Sequence, residues 1–167
     1  GKPVVGDPAD LTAYILEPVE GITDKKRPAV LLCPGGGYRK LSGREDQPVA
    51  MKYLAAGFHV FVLHYSLVPD VFPRALMELA LSMKLIREHG NEWNVDVKRI
   101  AVSGFSAGGH LACCLGTFWN KEWLYKALEV KPEMIQPNGM ILCYPVITSG
   151  EYCHKGSFEC LMGTEAS

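Results

Sequence analysis

The sequence predicts an α/β fold, in which a mostly parallel sheet carries helices on both faces. Predicted strands and helices alternate four times along the chain, as they do when crossover helices connect parallel strands. Residues 29–33 are a continuous apolar run, which is typical of a strand that is covered on both faces, and residues 58–65 are the next predicted buried strand. The 167 residues contain no linker, repeat or low-complexity tract, so we expect one domain over residues 1–167.

The first half of the chain supplies an edge strand, two buried strands and a helix. Residues 11–16 alternate loosely and end before a proline, which favours an edge strand, and a polar turn is expected at residues 23–28. Between the two buried strands, Asp46 is expected to cap a helix that has Pro48 in its first turn and ends at Gly57.

The second half supplies a long helix and two further strands. Residues 73–89 predict a helix that stops at Gly90, and its apolar stripe consists of Leu76, Leu79, Ala80, Met83 and Ile86. The elements expected after it are a polar loop at 91–98, a strand at 99–102, a helix at 107–115, a short helix at 121–130, a strand at 139–144 and a loop at 145–163. On this interpretation no helix covers the last strand.

Composition and charge say little about function but exclude some classes of partner. The chain is 48% hydrophobic and 21% charged, and its formal net charge is −1. Without a basic run or an acidic tail, neither nucleic acid nor an anionic membrane is expected as the main partner. No apolar run approaches the roughly 20 residues that span a bilayer, and residues 1–4 do not resemble a signal peptide. We therefore expect a cytoplasmic protein.

The six cysteines are interpreted as reduced residues, most of them in the core. No C-x-x-C pair occurs, and Cys153-His154 lacks companions at the spacing of zinc ligands, so a metal site is not expected. Disulfides or a metal site are the alternative. The six residues are Cys33, Cys113, Cys114, Cys143, Cys153 and Cys160.

The segment Gly104-Phe105-Ser106-Ala107-Gly108 is the strongest functional signal in the chain. It fits G-x-S-x-G, in which a serine on a sharp strand-to-helix turn projects its Oγ from the top of a parallel sheet. Glycines flank such a serine because its backbone is strained and a Cβ on either side would collide with its neighbours. A predicted strand before the motif and a small-residue helix after it strengthen the signal, and Ser106 is the candidate nucleophile.

Four motifs in this order resemble the α/β-hydrolase esterases, and above all the bacterial acetyl-esterase and acetyl-xylan-esterase-like members related to the hormone-sensitive-lipase group. They are Cys-Pro-Gly-Gly-Gly-Tyr at 33–38, His-Tyr-Ser at 64–66, Phe-Pro-Arg-Ala-Leu at 72–76 and Gly-Phe-Ser-Ala-Gly-Gly-His-Leu-Ala at 104–112. The sequence departs from many relatives at Pro34, where they have His, and at Ser66, where they often have Arg.

The resemblance implies a cofactor-free serine hydrolase that acts on short-chain acyl esters, with acetylated sugars among its small-molecule substrates. A serine hydroxyl is a poor nucleophile unless a base takes its proton and donors hold the oxyanion that forms. In this fold the donors are the N–H of the residue after the nucleophile, here Ala107, and N–H groups of the glycine-rich loop, here Gly36 and Gly37. Tyr38 is a further candidate, for the substrate pocket.

The triad acid and base are not evident in the sequence. In this fold the acid and then the histidine follow the serine on later strands, whereas the 61 residues after Ser106 contain one predicted strand, and the one histidine in the tail beyond the helix at 107–115 is His154. His154 is not expected to be the base, and Glu151 and Glu159 are interpreted as solvated charges. The histidines elsewhere are expected to be structural, namely His59, His64, His89 and His110.

We therefore expect the chain to be the N-terminal two-thirds of a hydrolase whose last strands, with the acid and the base, are absent. The exposed edge that remains predicts a homo-oligomer or association with the missing C-terminal segment. Two alternatives stay open. One is a serine peptidase of the prolyl-oligopeptidase type, and the other is a non-catalytic binding protein with the hydrolase fold.

Overall fold

The computed structural model describes residues 9–19, 21 and 25–163. Residues 1–4 and part of the predicted turn at 23–28 lie outside the described residues, as does the C terminus from residue 164 onward. The elements, in chain order, are β1 Asp10–Tyr14, β2 Arg27–Cys33, α1 Gln47–Ala55, β3 His59–His64, α2 Arg74–Glu88, β4 Val95–Phe105, α3 Ala107–Phe118, α4 Glu122–Ala127, α5 Pro132–Ile135, β5 Gly139–Cys143 and α6 Lys155–Met162.

The five strands form one sheet in the order β1-β3-β2-β4-β5. Strand β1 pairs antiparallel with β3 at one edge, and the other neighbours are parallel. The carboxyl ends of β2 and β4 are in register, with Cys33 opposite Gly104, and Phe105 lies opposite Cys143 of β5. The predicted mostly parallel α/β sheet is confirmed, and the two glycine-rich turns follow neighbouring strands.

Alternate residues of the central strands bury their side chains on opposite faces of the sheet. Leu31 and Phe61 belong to the larger core, which includes residues of α2 and α3, whereas Val30 and Val62 pack with Ala50 of α1 on the other face. All five residues of the predicted α2 stripe are at most 1% exposed. Helices on both faces are therefore confirmed.

Several predicted boundaries and elements are wrong. The sequence predicts a loop at residues 145–163, but the structure has α6 there, and the side chain of His154 caps that helix by accepting from the Ser157 N–H. Strand β4 begins at Val95, inside the predicted loop, because its first residue pairs with Arg27 of β2. The short helix α5 was not predicted at all.

Asp46 lies at the N-cap position of α1, but its side chain makes no capping hydrogen bond. Its carboxylate contacts His64 Nε2 at 2.6 Å instead, and Asp10 contacts the other ring nitrogen of His64 at 2.6 Å. Asp46 thus connects α1 to the sheet, a tertiary contact that the local sequence pattern does not reveal.

Strand β5 lies at the second edge of the sheet and is largely exposed. Met140 and Ile141 are 48% and 38% exposed, and the loop after the strand exposes Tyr144 and Ile147 by 66% and 60%. Helix α6 packs elsewhere, since Phe158 contacts His110 of α3. Among the helices of the described ranges, none has the length and apolar character needed to cross a bilayer.

Candidate active site

Ser106 lies in the turn between β4 and α3 and has φ 52° and ψ −117°. This conformation is rarely adopted by residues other than glycine and costs about 1–3 kcal/mol. Three backbone hydrogen bonds hold it: the Ser106 N–H donates to Cys143 O at 3.0 Å, and Ser106 O accepts from the N–H groups of His110 at 3.0 Å and Val146 at 3.1 Å. The strand–turn–helix predicted around Ser106 is therefore present.

The glycines on either side of Ser106 lie against neighbouring backbone. A Cβ at Gly104 would lie 2.1 Å from Gly108 O, and a Cβ at Gly108 would lie 2.1 Å from Cys33 O. Real Cβ atoms essentially never come closer than 3.0 Å to a heavy atom. These two residues allow β2, β4 and α3 to meet directly beneath the serine.

The loop after β2 presents backbone donors to the same place. Gly36 and Gly37 have φ values of 135° and 69°, in the region that favours glycine. Within the described part of the chain, neither of their N–H groups donates to a backbone carbonyl. As the first residue of α3, Ala107 has no helical carbonyl one turn earlier to which its own N–H could donate. The N–H groups of Gly36 and Gly37 therefore have no backbone acceptor in the loop, and that of Ala107 has none within its helix.

Ser106, Gly36 and Gly37 line one open cleft of about 700 Å³. The wall that continues from the glycines is the segment 39–45, and the wall on the other side is the start of α6. The residues lining the cleft are Gly36, Gly37, Arg39, Lys40, Leu41, Ser42, Gly43, Arg44, Glu45, Ser106, His154 and Gly156. A small ester could reach the serine hydroxyl and the glycine N–H groups together in such a space.

Glu45 links the glycine-rich loop to the residue that follows β5. Its Oε2 accepts from the Gly35 N–H at 2.8 Å, and its Oε1 accepts from the Tyr144 hydroxyl at 3.0 Å. The sequence does not point to Glu45, because it lies ten positions beyond Gly35. An acidic residue shortly after a glycine-rich loop is too common a pattern to have indicated the contact.

Tyr38 lies beneath the loop and is 3% exposed. Its hydroxyl is 2.8 Å from His110 Nδ1, and its ring packs against the rings of Tyr65 and His110. Tyr38 does not line the cleft of Ser106; with Phe72 it lines a separate cavity of about 10 Å³. The substrate-pocket role of Tyr38 stays a prediction, and these contacts indicate packing.

Burial keeps the groups under the loop uncharged. It raises the pKa of the Tyr38 and Tyr65 hydroxyls well above their ordinary values and lowers the pKa of His110. The Tyr65 hydroxyl donates to Pro34 O at 2.6 Å, which fixes the start of the glycine-rich loop. Neutral hydrogen bonds thus hold the loop in place, and His110, as predicted, has structural contacts.

His154 lines the cleft, and one of its two ring nitrogens, Nδ1, is engaged by its own helix. Nδ1 lies 2.8 Å from Ser157 Oγ and accepts from the Ser157 N–H at 3.3 Å. Among the described residues that line the cleft, Glu45 is the one carboxylate, and both of its oxygens are already hydrogen-bonded. This part of the chain therefore places no histidine–carboxylate pair at the Ser106 cleft.

The fold and the turn at Ser106 define the class of protein. A mostly parallel sheet with helices on both faces and a strained serine between a strand and a helix is the α/β-hydrolase fold. Solved structures with this architecture include an acetyl ester-xyloside bifunctional hydrolase from Caldicellulosiruptor lactoaceticus, with 34% identity and a TM-score of 0.77, and a carboxylesterase from Lactobacillus plantarum, with 32% identity and a TM-score of 0.75.

Within that class, the chain belongs to the BD-FAE family, which matches residues 18–141. Similar curated proteins include endo-1,4-beta-xylanase B of Butyrivibrio fibrisolvens, 33% identical over 84% of this chain, and an acetylxylan esterase of Xylanibacter ruminicola, 30% identical over 82% of it. The chain spans 22% and 26% of the length of these two relatives. The alignment with the Caldicellulosiruptor structure covers 92% of this chain and 55% of that structure's chain. The alignment with the Lactobacillus structure covers 90% of this chain and 57% of that structure's chain.

Proposed function

We propose that the protein containing this chain is a serine carboxylic-ester hydrolase that acts on short acyl esters, acetyl esters of sugars among them. The single observation that carries the proposal is the strained Ser106, which shares a cleft with the N–H groups of Gly36 and Gly37. Two of the relatives are named acetylxylan esterase and acetyl ester-xyloside bifunctional hydrolase, and these names support acetylated sugars as the substrate class.

In the proposed reaction Ser106 Oγ attacks the carbonyl carbon of the ester while a general base takes the hydroxyl proton. The negative charge that develops on the carbonyl oxygen is held by the N–H of Ala107 and by those of Gly36 and Gly37. The C–O bond of the ester then breaks, the alcohol leaves with the proton, and water hydrolyses the acyl-Ser106 ester. One such oxyanion donor typically contributes about 100- to 1,000-fold in rate.

The base and the acid are proposed to come from a part of the protein outside these 167 residues. Two observations support this: His154 Nδ1, the nitrogen that would contact a triad acid, already lies 2.8 Å from Ser157 Oγ, and the chain spans 55% of the length of the Caldicellulosiruptor relative. The exposed strand β5, with Met140 and Ile141 on its surface, supports the proposal that this segment, or a second copy of the chain, pairs with that edge.

Labelling with a fluorophosphonate tests the proposal on the full-length protein. Intact mass spectrometry should show one adduct, which maps to Ser106 and disappears in Ser106→Ala but persists in the exposed control Ser149→Ala. The same preparation should hydrolyse 4-nitrophenyl acetate. An unlabelled Ser106 would contradict the proposal, and labelling without turnover would favour the alternative of a non-catalytic binding protein.

A further inference from the structure

The cleft beside Ser106 carries a concentration of positive charge. Arg39, Lys40 and Arg44 all line it, and the one carboxylate in its described lining is Glu45. We propose, on the basis of the function proposed above, that this cleft selects esters that carry a carboxylate in addition to the ester group.

The cleft wall of residues 39–45, called here the basic segment, is held in a defined position relative to the serine. The N–H groups of Arg39 and Lys40 donate to Gly36 O at 3.3 and 3.2 Å, and the Ser42 N–H donates to Gly35 O at 2.8 Å. These bonds close the chain back onto the glycine-rich loop that supplies the proposed oxyanion donors. The cationic side chains therefore start from a backbone that is fixed at the reaction centre.

The positive charge in the cleft is not balanced by its surroundings. Both oxygens of Glu45 are engaged by Gly35 and Tyr144, and neither Lys40 nor Arg44 forms an ion pair with any described residue. The Lys, Arg and Glu residues of the cleft have a formal charge of +2, whereas the whole chain has a formal charge of −1. The excess of cations at the cleft is therefore local.

The chemistry of these groups matches a carboxylate. An Arg guanidinium binds a carboxylate through two parallel N–H bonds, and a Lys ammonium adds a compact charge. A concave site also concentrates the field of its charges and attracts a ligand of opposite sign. A neutral acetyl ester uses none of these contacts, so the cations distinguish an anionic ester from its neutral counterpart.

The test compares matched esters with the full-length protein. In one arm the charge lies in the acyl half, with 4-nitrophenyl hydrogen adipate compared with 4-nitrophenyl hexanoate. In the other it lies in the alcohol half, with 4-acetoxybenzoate compared with methyl 4-acetoxybenzoate. The readout is the ratio of kcat/KM for the anionic ester to that for its neutral partner, in wild type, Lys40→Gln, Arg44→Gln and the double variant.

We expect the ratio to fall about threefold for each charge removed and about tenfold in the double variant, in the arm that matches the natural substrate. Lys52→Gln is the control, because Lys52 is exposed on α1 and does not line the cleft. Raising the ionic strength from about 0.05 M to about 0.5 M should lower the wild-type ratio, since salt screens exposed charges.

The inference would be overturned if the ratio of kcat/KM were the same as in wild type for Lys40→Gln, Arg44→Gln and the double variant in both arms, while the neutral esters are hydrolysed normally. That result would leave the proposed function standing. Absence of turnover of every ester would instead count against the proposed function. Calorimetric binding of 4-acetylbenzoate, a ketone that cannot be hydrolysed, decides the inference in that case. Binding that weakens in the double variant supports it, and binding that does not weaken overturns it.

Discussion

Two glycine-rich turns meet at Ser106, and they need glycine for different reasons. In the turn of residues 104–108, a Cβ at Gly104 or Gly108 would lie 2.1 Å from a backbone atom of its surroundings. In the turn of residues 34–38, Gly37 has space for a Cβ, whose nearest atom would be 3.5 Å away, but its φ is 69°. Gly104 and Gly108 are needed for close approach of backbone, whereas Gly37 is needed for a left-handed conformation.

Gly36 combines both requirements. Its φ is 135°, and a Cβ there would lie 2.0 Å from Lys40 O. The comparison teaches that a glycine-rich motif is not a single constraint, because tolerance to substitution depends on which requirement each position has. Substitution should therefore cost most at the position where the surrounding backbone cannot move.

The largest expected effect is on folding, at the turn that contains Ser106. Gly108→Ala places a Cβ against Cys33 O and Pro34 O, backbone atoms of β2 and the loop that follows it. Overpacking of a rigid interior costs about 1–3 kcal/mol or more, and we expect at least about 3 kcal/mol here because backbone must shift. Urea unfolding followed by circular dichroism measures the loss. Gly43→Ala, with nothing within 4 Å of its Cβ, is the control and should change the free energy of unfolding by less than about 0.5 kcal/mol.

The next effect is on catalysis, at the glycine-rich loop. Gly36→Ala should displace the loop from Lys40 and lower kcat for 4-nitrophenyl acetate about 100-fold, the typical loss of one oxyanion donor. Gly37→Ala meets only conformational strain, about 1 kcal/mol, and should lose less activity. Equal losses for the two variants would contradict the distinction between close approach and conformation.

A smaller effect is expected where Tyr38 joins the two turns. Its hydroxyl contacts His110, which follows Ser106 by one helical turn, so Tyr38→Phe removes a bond between the loop and α3. A hydrogen bond between neutral groups typically contributes about 1 kcal/mol, and we expect that loss in the free energy of unfolding. Tyr152→Phe is the control, because Tyr152 is 89% exposed. If Tyr38→Phe were as stable as this control, the hydrogen bond between Tyr38 and His110 would not stabilise the protein, contrary to this prediction.

The smallest effect depends on pH and concerns His64, which anchors the far end of the basic segment through Asp46. Burial of the ring lowers the pKa of His64. The hydrogen bonds that His64 forms with Asp46 and Asp10, together with the negative charges of these residues, outweigh burial and raise the pKa overall. Because the pKa of His64 is higher in the folded state, protonation of His64 stabilises the folded state. The stabilisation is complete below the unfolded-state pKa of about 6.5 and is lost as the pH rises through the folded-state pKa.

Asp46→Asn should therefore destabilise the protein more at about pH 5.5 than at about pH 9, by up to about 1 kcal/mol since the pair is partly exposed. Asp10→Asn should act in the same direction but more weakly, because the side chain of Asp10 is 64% exposed. Unfolding curves at the two pH values measure both differences. A difference of opposite sign would show that His64 is not the titrating group.

Much of the fold was predictable because it depends on local patterns. Apolar runs of strand length predicted β2 and β3, and the helical stripe that includes Leu79 and Met83 predicted α2. The prediction failed where a tertiary contact overrides the local pattern. The polar residues before Arg99 joined β4 because Arg27 pairs with Val95, and the loop-like end of the chain formed α6 with His154 as its cap.

The candidate site divides in the same way. The sequence by itself determined which residues to examine, since the spacing around Ser106 and the run of three glycines reflect local steric needs that any chain with this turn must meet. Only the tertiary structure decided what surrounds them. Glu45 contacts Tyr144 and Tyr38 contacts His110, in each case a residue far away in the chain, and no periodicity encodes such contacts. The basic segment folds back onto the glycine-rich loop, and its charges reach the serine only because β2 and β4 are neighbours in the sheet. The reason is physical: strain at a turn is a property of neighbouring residues, whereas the charge and shape of a cleft arise only when separate elements pack together.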